Sequence, residues 1–162
     1  MSEKLVPTPS QTVGPFFGFA LPFPGDSDAQ GGGGVRIEGQ LLDGAGEPVS
    51  DGVLEVWSGD QFARCTTDSE GTFHFTVAKP SGESVPVGDA PHLNVTVFSR
   101  GLLRHLATRI YFPDEEAANS RDRILNLVEP ERRSTLIAAA VGRVLHFDVR
   151  LQGDRETVFF GL

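Results

Sequence analysis

The sequence predicts an all-β protein, an antiparallel β-sandwich with an extended N-terminal arm and one or two short helices. Three observations carry this. Short stretches alternate apolar and polar side chains with the period of a strand, as in Val35-Arg36-Ile37-Glu38-Gly39-Gln40-Leu41 and Thr72-Phe73-His74-Phe75-Thr76-Val77. Clusters of turn residues separate them, as in Asp43-Gly44-Ala45-Gly46-Glu47-Pro48 and Thr66-Thr67-Asp68-Ser69-Glu70-Gly71. Stretches with helical period are scarce.

Residues 1–34 are expected to form the arm and a glycine-rich joint, and residues 35–162 a single sandwich domain. The arm holds Pro7, Pro9, Pro15, Pro22 and Pro24 together with Phe16, Phe17, Phe19, Leu21 and Phe23. Disordered tails are poor in aromatics, so the arm should lie on its own domain or on another chain. Gly31 to Gly34 is followed by a strand and not by a helix, and no Lys-Ser/Thr follows it, which argues against a phosphate-binding loop.

After the strand at Val35 to Leu41, Val53 to Trp57 reads as the second and Thr72 to Val77 as the third. His92 to Phe98 follows, with Leu93, Val95 and Val97 on one face. Leu103 to Phe112 and Val144 to Leu151 look like two more, and Thr157 to Phe160 like a short last one. Asp114 to Asn119 starts a short helical turn. The best helix is Pro130 to Ala139: Pro130 suits the first helical position, Glu131 the positive N-terminal end, and Gly142 a stop.

At 162 residues the chain is long enough for one domain with a real core. Its net charge of -8 argues against nucleic acid or an anionic membrane as partner. No apolar stretch is long enough to span a membrane. Met1 to Ser10 lacks the basic region and apolar run of a signal peptide. A cytoplasmic protein is expected. Cys65 is the only cysteine, so no internal disulfide forms, and the residue reads as a small buried hydrophobe.

The histidines carry the chemical interest. His92 and Asn94 point to the same face of their strand, because alternate side chains do. A His-x-His pair there would supply two metal ligands, but the second position is an amide, a far poorer ligand. Tyr111 is the only tyrosine, so the chain cannot offer two phenolates to a hard ion such as iron(III). His74 lies on the polar face of its strand, as a surface or a hydrogen-bonded residue. His105 and Tyr111 share a face but are too far apart for a joint site. His146 shares a face with Asp148, which could orient it. No G-x-S-x-G elbow is present, so a self-contained hydrolase is unsupported.

An ordered set of motifs resembles the intradiol ring-cleavage dioxygenase family. Thr8-Pro9-Ser10-Gln11-Thr12-Val13-Gly14-Pro15-Phe16 is similar to the family's N-terminal arm. Gly39-Gln40-Leu41-Leu42-Asp43-Gly44, Leu54-Glu55-Val56-Trp57 and Thr67-Asp68-Ser69-Glu70-Gly71 match its core. Ala90-Pro91-His92-Leu93-Asn94, Thr108-Arg109-Ile110-Tyr111-Phe112 and Phe147-Asp148-Val149-Arg150-Leu151-Gln152-Gly153 follow in the same order. The set covers nearly the whole chain. The resemblance implies a prealbumin-like sandwich. Catalytic subunits of the family bind ferric iron through two tyrosines and a His-x-His pair. His92 and Asn94 match the histidine pair as vestigial metal positions, and neither tyrosine has a counterpart. The loop after Trp57 shrinks to Ser58-Gly59-Asp60-Gln61-Phe62, and Lys79-Pro80-Ser81-Gly82 passes the second tyrosine's place with none.

The resemblance therefore implies an alpha-type subunit with no catalytic or metal-binding residue of its own. Its beta subunit partner would hold the Fe(3+), in a heterodimer built into a larger oligomer. The substrate would be a small aromatic, protocatechuate, opened with dioxygen to 3-carboxy-cis,cis-muconate. Thr12, Gly14, Pro15 and Phe16 of the arm and Arg100 would line the partner's pocket. The alternatives are a non-catalytic prealbumin-like binding module, or a subunit acting on another catechol.

Overall fold

The computed structural model describes residues 7–12, 14, 16–31, 33–81 and 84–161. Nine strands are named among them: β1 Val35–Leu42, β2 Val53–Ser58, β3 Gln61–Thr66, β4 Thr72–Val77, β5 His92–Phe98, β6 Leu106–Tyr111, β7 Ala139–Val141, β8 Val144–His146 and β9 Val149–Arg150. They form two sheets. One has the order β4-β1-β8-β7, with β9 also pairing β1; the other has the order β3-β2-β5-β6. The two-layer sandwich is the fold the alternating stretches predict.

The layers meet through the apolar faces of the strands. Ile37, Phe73 and Phe75 of the first sheet and Leu54, Val56 and Leu93 of the second are fully buried in one cluster. Two turns follow the glycine and aspartate chemistry seen in sequence. Asp43 Oδ1 accepts from the amides of Ala45 (2.8 Å) and Glu47 (2.9 Å). Asp68 Oδ1 accepts from Glu70 (2.9 Å) and Thr72 (2.8 Å), with Gly71 at φ 70°.

The structure departs from the sequence expectations at several places. The first sheet is mixed, because β1 runs antiparallel to β4 but parallel to β8 and β9. The expected strand at Val144 to Leu151 is broken at Phe147-Asp148. There the Phe147 amide donates to Glu38 O (2.8 Å), and Asp148 Oδ1 takes the Gln40 amide (3.0 Å) in place of a strand carbonyl. Gly39 permits this approach: a Cβ on it would sit 1.7 Å from Phe147 O.

Gln61–Thr66, whose ends the sequence assigns to a loop (Ser58 to Phe62) and a turn (Thr66 to Gly71), is a strand that closes a tight hairpin on β2 through Gly59 (φ 57°). The Pro130 to Ala139 helix is a 3-10 helix, Pro130–Leu136. It starts at the expected proline but ends early, because Ile137 bridges to Tyr111 and the Ala138 amide donates to Tyr111 O (3.0 Å). Gly142 instead turns the β7–β8 hairpin. Thr157 to Phe160 is not a strand. The Thr157 amide goes to Arg150 O (3.0 Å) and that of Val158 to Thr135 Oγ1 (3.3 Å), so only Phe160 pairs, with Ala107. The short turn near Asp114 is present as a 3-10 turn, Pro113–Glu115, running into α2, Glu116–Asn119 (α1 is Phe17–Ala20).

The arm lies partly on its own domain. Phe17 is buried, and the backbones of Ser27 and Ala29 pair with Thr76. Arg64 holds Leu21 O (2.9 Å) through its guanidinium and Asp26 O through its amide (2.8 Å). Phe16, Phe19 and Phe23 stay exposed, each near 70%. Cys65 is buried, and burial pushes its thiol up.

Candidate functional site

The register of β5 against β6 decides what surrounds the histidine. It pairs His92 with Tyr111 and Asn94 with Arg109, all on the outer face of the four-stranded sheet. At the His92 end that face is roofed by Leu125, Val128 and Leu136, which form a second apolar cluster with Tyr111 and Ala90. His92 is therefore buried, while Asn94 remains partly open.

Under the roof lies a connected polar network. His92 Nδ1 is 2.8 Å from Ala90 O. A carbonyl only accepts, so Nδ1 carries the proton and the lone pair is on Nε2. Burial holds the imidazole below its ordinary value. The rings of His92 and Tyr111 lie 5.6 Å apart. The Tyr111 hydroxyl donates to Asp122 Oδ1 (3.0 Å) and accepts from Arg109 Nη1 (3.2 Å). Burial pushes the phenol well above its ordinary value, so it stays protonated. Asp122, wholly buried, also accepts from the amides of Ala90 (2.7 Å) and Leu125 (2.6 Å). Arg109 Nη1 reaches Asp89 Oδ2 at 3.1 Å. Asp89 Oδ1 is buried without a hydrogen-bond partner among the described residues, and Arg123 Nη2 lies 3.8 Å from it.

One atom each of Asp89, His92 and Asp122 fall within 4.8 Å of one another, so a metal could be sought there. The donor set does not fit ferric iron. Both Asp122 oxygens are taken by donors, the phenol is held protonated, and the Arg109 guanidinium already neutralises Asp89. Asn94 adds only an amide. The cation in this network is an arginine.

The other sequence-predicted residues lie elsewhere. Arg100 is in the turn after β5, exposed, and paired through Nε with Asp51. Thr12 and Phe16 are exposed, and Gly14 has φ 75°. Pro15 lies outside the described residues. Among the described residues no hydrogen bond joins Thr12, Gly14 or Phe16 to Arg100. Ser10 Oγ, however, accepts from Arg104 Nε (2.9 Å), which ties the arm to the segment that also carries Arg100. His74 Nε2 meets Ser27 Oγ (3.2 Å), and His146 Nε2 meets Asp148 Oδ1 (3.0 Å), so both act as local bonds. His105 falls just outside β6 and packs on Phe98.

The chain is 41% identical to the protocatechuate 3,4-dioxygenase alpha chain of Burkholderia cepacia, over 94% of this chain and 96% of that one. The chain belongs to the protocatechuate 3,4-dioxygenase alpha-chain family. The alpha chain of Pseudomonas putida is 38% identical over 98% of each chain. The beta chain of Burkholderia cepacia is 27% identical over 76% of this chain and 66% of that one. No family model matches. Among solved structures, the dioxygenase domain of a dioxygenase and carbohydrate-binding protein fusion from Streptomyces sp. SirexAA-E superposes with a TM-score of 0.62. It is 23% identical and covers 91% of this chain and 99% of that chain, a likeness of fold. Membership of the alpha-chain family, arm included, removes the ground for the separate binding-module reading. Among the described residues no helix is long and apolar enough to cross a membrane.

Sequence reasoning missed Asp89, Arg109 and Asp122. Arg109 could have been found, since it lies two residues before Tyr111 on the same strand face. The two aspartates sit outside the strands and gave no such signal.

Proposed function

We propose that this chain is the iron-free alpha subunit of a protocatechuate 3,4-dioxygenase, paired with a beta chain that holds ferric iron. The observation that carries the reading is the 41% identity to an alpha chain over almost the full length of both. The network around His92 supports it, because Arg109 pairs with Asp89, one of the two carboxylates beside that histidine. Ferric iron held by the beta chain would supply the Lewis-acid and redox chemistry that makes a catechol reactive toward dioxygen, with ring opening between the two hydroxyl-bearing carbons. Both oxygen atoms enter the product, 3-carboxy-cis,cis-muconate.

The role of this chain is to wall that pocket. Thr12, Gly14, Pro15 and Phe16 reach the partner from an arm stiffened by prolines, which loses little entropy on docking. Arg100 offers a guanidinium to the carboxylate of the anionic substrate. The test is co-expression with a beta chain, followed by iron analysis and a ring-cleavage assay. The pair should hold iron and consume protocatechuate. This chain alone should hold no stoichiometric iron and show no ring cleavage. A burgundy protein, the colour of ferric tyrosinate charge transfer, obtained from this chain alone would overturn the reading. Preference for a different catechol would revise its substrate.

A further inference from the structure

We infer that Asp51 is a positioning residue for Arg100: its carboxylate holds the Nε edge of the guanidinium and leaves the Nη edge to meet the substrate carboxylate. This rests on the pocket role proposed for Arg100.

The pairing follows from sheet register. β2 and β5 are antiparallel with Val53 opposite Phe98 and Leu54 opposite Val97. Continuing that register two residues outward brings Asp51 opposite Arg100, just beyond the end of both strands. Asp51 Oδ2 accepts from Arg100 Nε. The Arg100 side chain is 67% exposed and that of Asp51 30%. Among the described residues neither Nη group of Arg100 has a protein partner, so the fork that binds carboxylates bidentately remains free.

Asp51 sits on a turn that is fixed from below. The amide of Gly52 donates to Thr67 Oγ1 (2.9 Å), the amide of Thr67 donates to Gly52 O (3.0 Å), and Thr67 Oγ1 donates to Val49 O (2.7 Å). Thr67 is buried. A Cβ at Gly52 would lie 2.3 Å from Leu41 Cδ2, so the turn sits directly on the core. Arg100 itself is followed by Gly101 at φ 85°, where the chain reverses. A long side chain on an exposed turn would otherwise sample many rotamers. Anchoring one edge of its head group removes that freedom before substrate arrives, which is where preorganisation raises affinity.

The pair also raises an opposing possibility, that the Asp51 charge repels an anionic substrate. The two effects have opposite signs and are separable. The assembled enzyme is made with Arg100→Ala, Asp51→Ala, Asp51→Asn and the Arg100→Ala/Asp51→Ala double substitution. Each is assayed with protocatechuate and with catechol, which lacks the carboxylate. Arg100→Ala should raise KM for protocatechuate about ten- to hundredfold and change catechol little. Asp51→Ala should raise the same KM about three- to tenfold, with kcat and the iron spectrum unchanged. Asp51→Asn, whose amide oxygen still accepts from Nε, should restore most of the loss. In the Arg100→Ala background Asp51→Ala should add nothing.

A lower KM in Asp51→Ala would overturn the inference, and so would equal losses on both substrates or additive losses in the double variant. A silent Asp51→Ala beside an impaired Arg100→Ala would overturn it while leaving the role of Arg100 standing. An unimpaired Arg100→Ala would remove that role and the inference with it.

Discussion

Tyr111→Phe isolates what the buried network contributes. The substitution removes one oxygen and leaves the ring in place, so no cavity opens beside His92. It deletes a hydrogen bond to the Asp122 carboxylate at 3.0 Å and one from Arg109 at 3.2 Å. Hydrogen bonds to charged groups contribute about 1.5–3 kcal/mol. Asp122 keeps the amides of Ala90 and Leu125, and Arg109 keeps Asp89, so no charge is abandoned. The loss should therefore fall at the lower end, about 1.5–2 kcal/mol. For a chain of this size that lowers Tm by about 3–8 °C. Thermal unfolding followed by circular dichroism, at one protein concentration for both proteins, measures it. Asp122→Ala would strand three donors at once and cost more than about 3 kcal/mol, a contrast that checks the ordering. A Tyr111→Phe protein as stable as the parent would refute the network as a source of stability.

Two further outcomes follow from the same geometry. Burial holds His92 below its ordinary value of 6.5, so the unfolded chain takes up this proton first as the pH falls. The stability tied to a neutral His92 is complete above pH 6.5 and declines as the pH drops through the lower folded value. Urea titrations across that range should show the decline, and His92→Gln should flatten part of it, with His74, also held low by burial, supplying more; an unchanged slope in His92→Gln would count against the assignment. Replacing Phe16, Phe19 and Phe23 together by serine should cut dye binding and self-association of the isolated chain without lowering its Tm, because all three rings are exposed. A large fall in Tm would show that they support the domain itself.

Strands whose inward residues are large could be read directly from the sequence. β1 and β4 bury Ile37, Leu41, Phe73 and Phe75, and their alternation is unmistakable. β3 buries only Ala63 and Cys65, small side chains that barely register as an apolar period. β7 and β8 are three residues each with none fully buried, and only the half-buried Leu145 packs on the core, too little to show an apolar period. Thr157 to Phe160 has strand-forming residues, but Thr135 and Arg150 take its backbone bonds, and only the folded chain brings these together. The site divides the same way. His92 and Asn94 share a face by strand geometry, whatever the rest of the fold. Asp122 lies thirty residues beyond His92 and reaches it only because the segment after α2 folds back over the sheet. The exposed Arg100 gave no sign of its partner until the β2–β5 register was known.

The parallel pairing of β1 with β8 and β9 sets an order on biosynthesis. Residues 35–42 leave the ribosome about a hundred residues ahead of their partners at 144–150. The second sheet and β4 can assemble during translation, since their pairings span short stretches. One edge of β1 must meanwhile wait with its backbone groups bare, and a bare strand edge is a template for any other extended chain. A cell making this protein on crowded polysomes therefore faces its greatest aggregation hazard in the interval before residue 150 emerges. Slow codons late in the coding sequence, upstream of residue 150, should cost more soluble protein than the same delay placed before residue 35, when no part of β1 has been made.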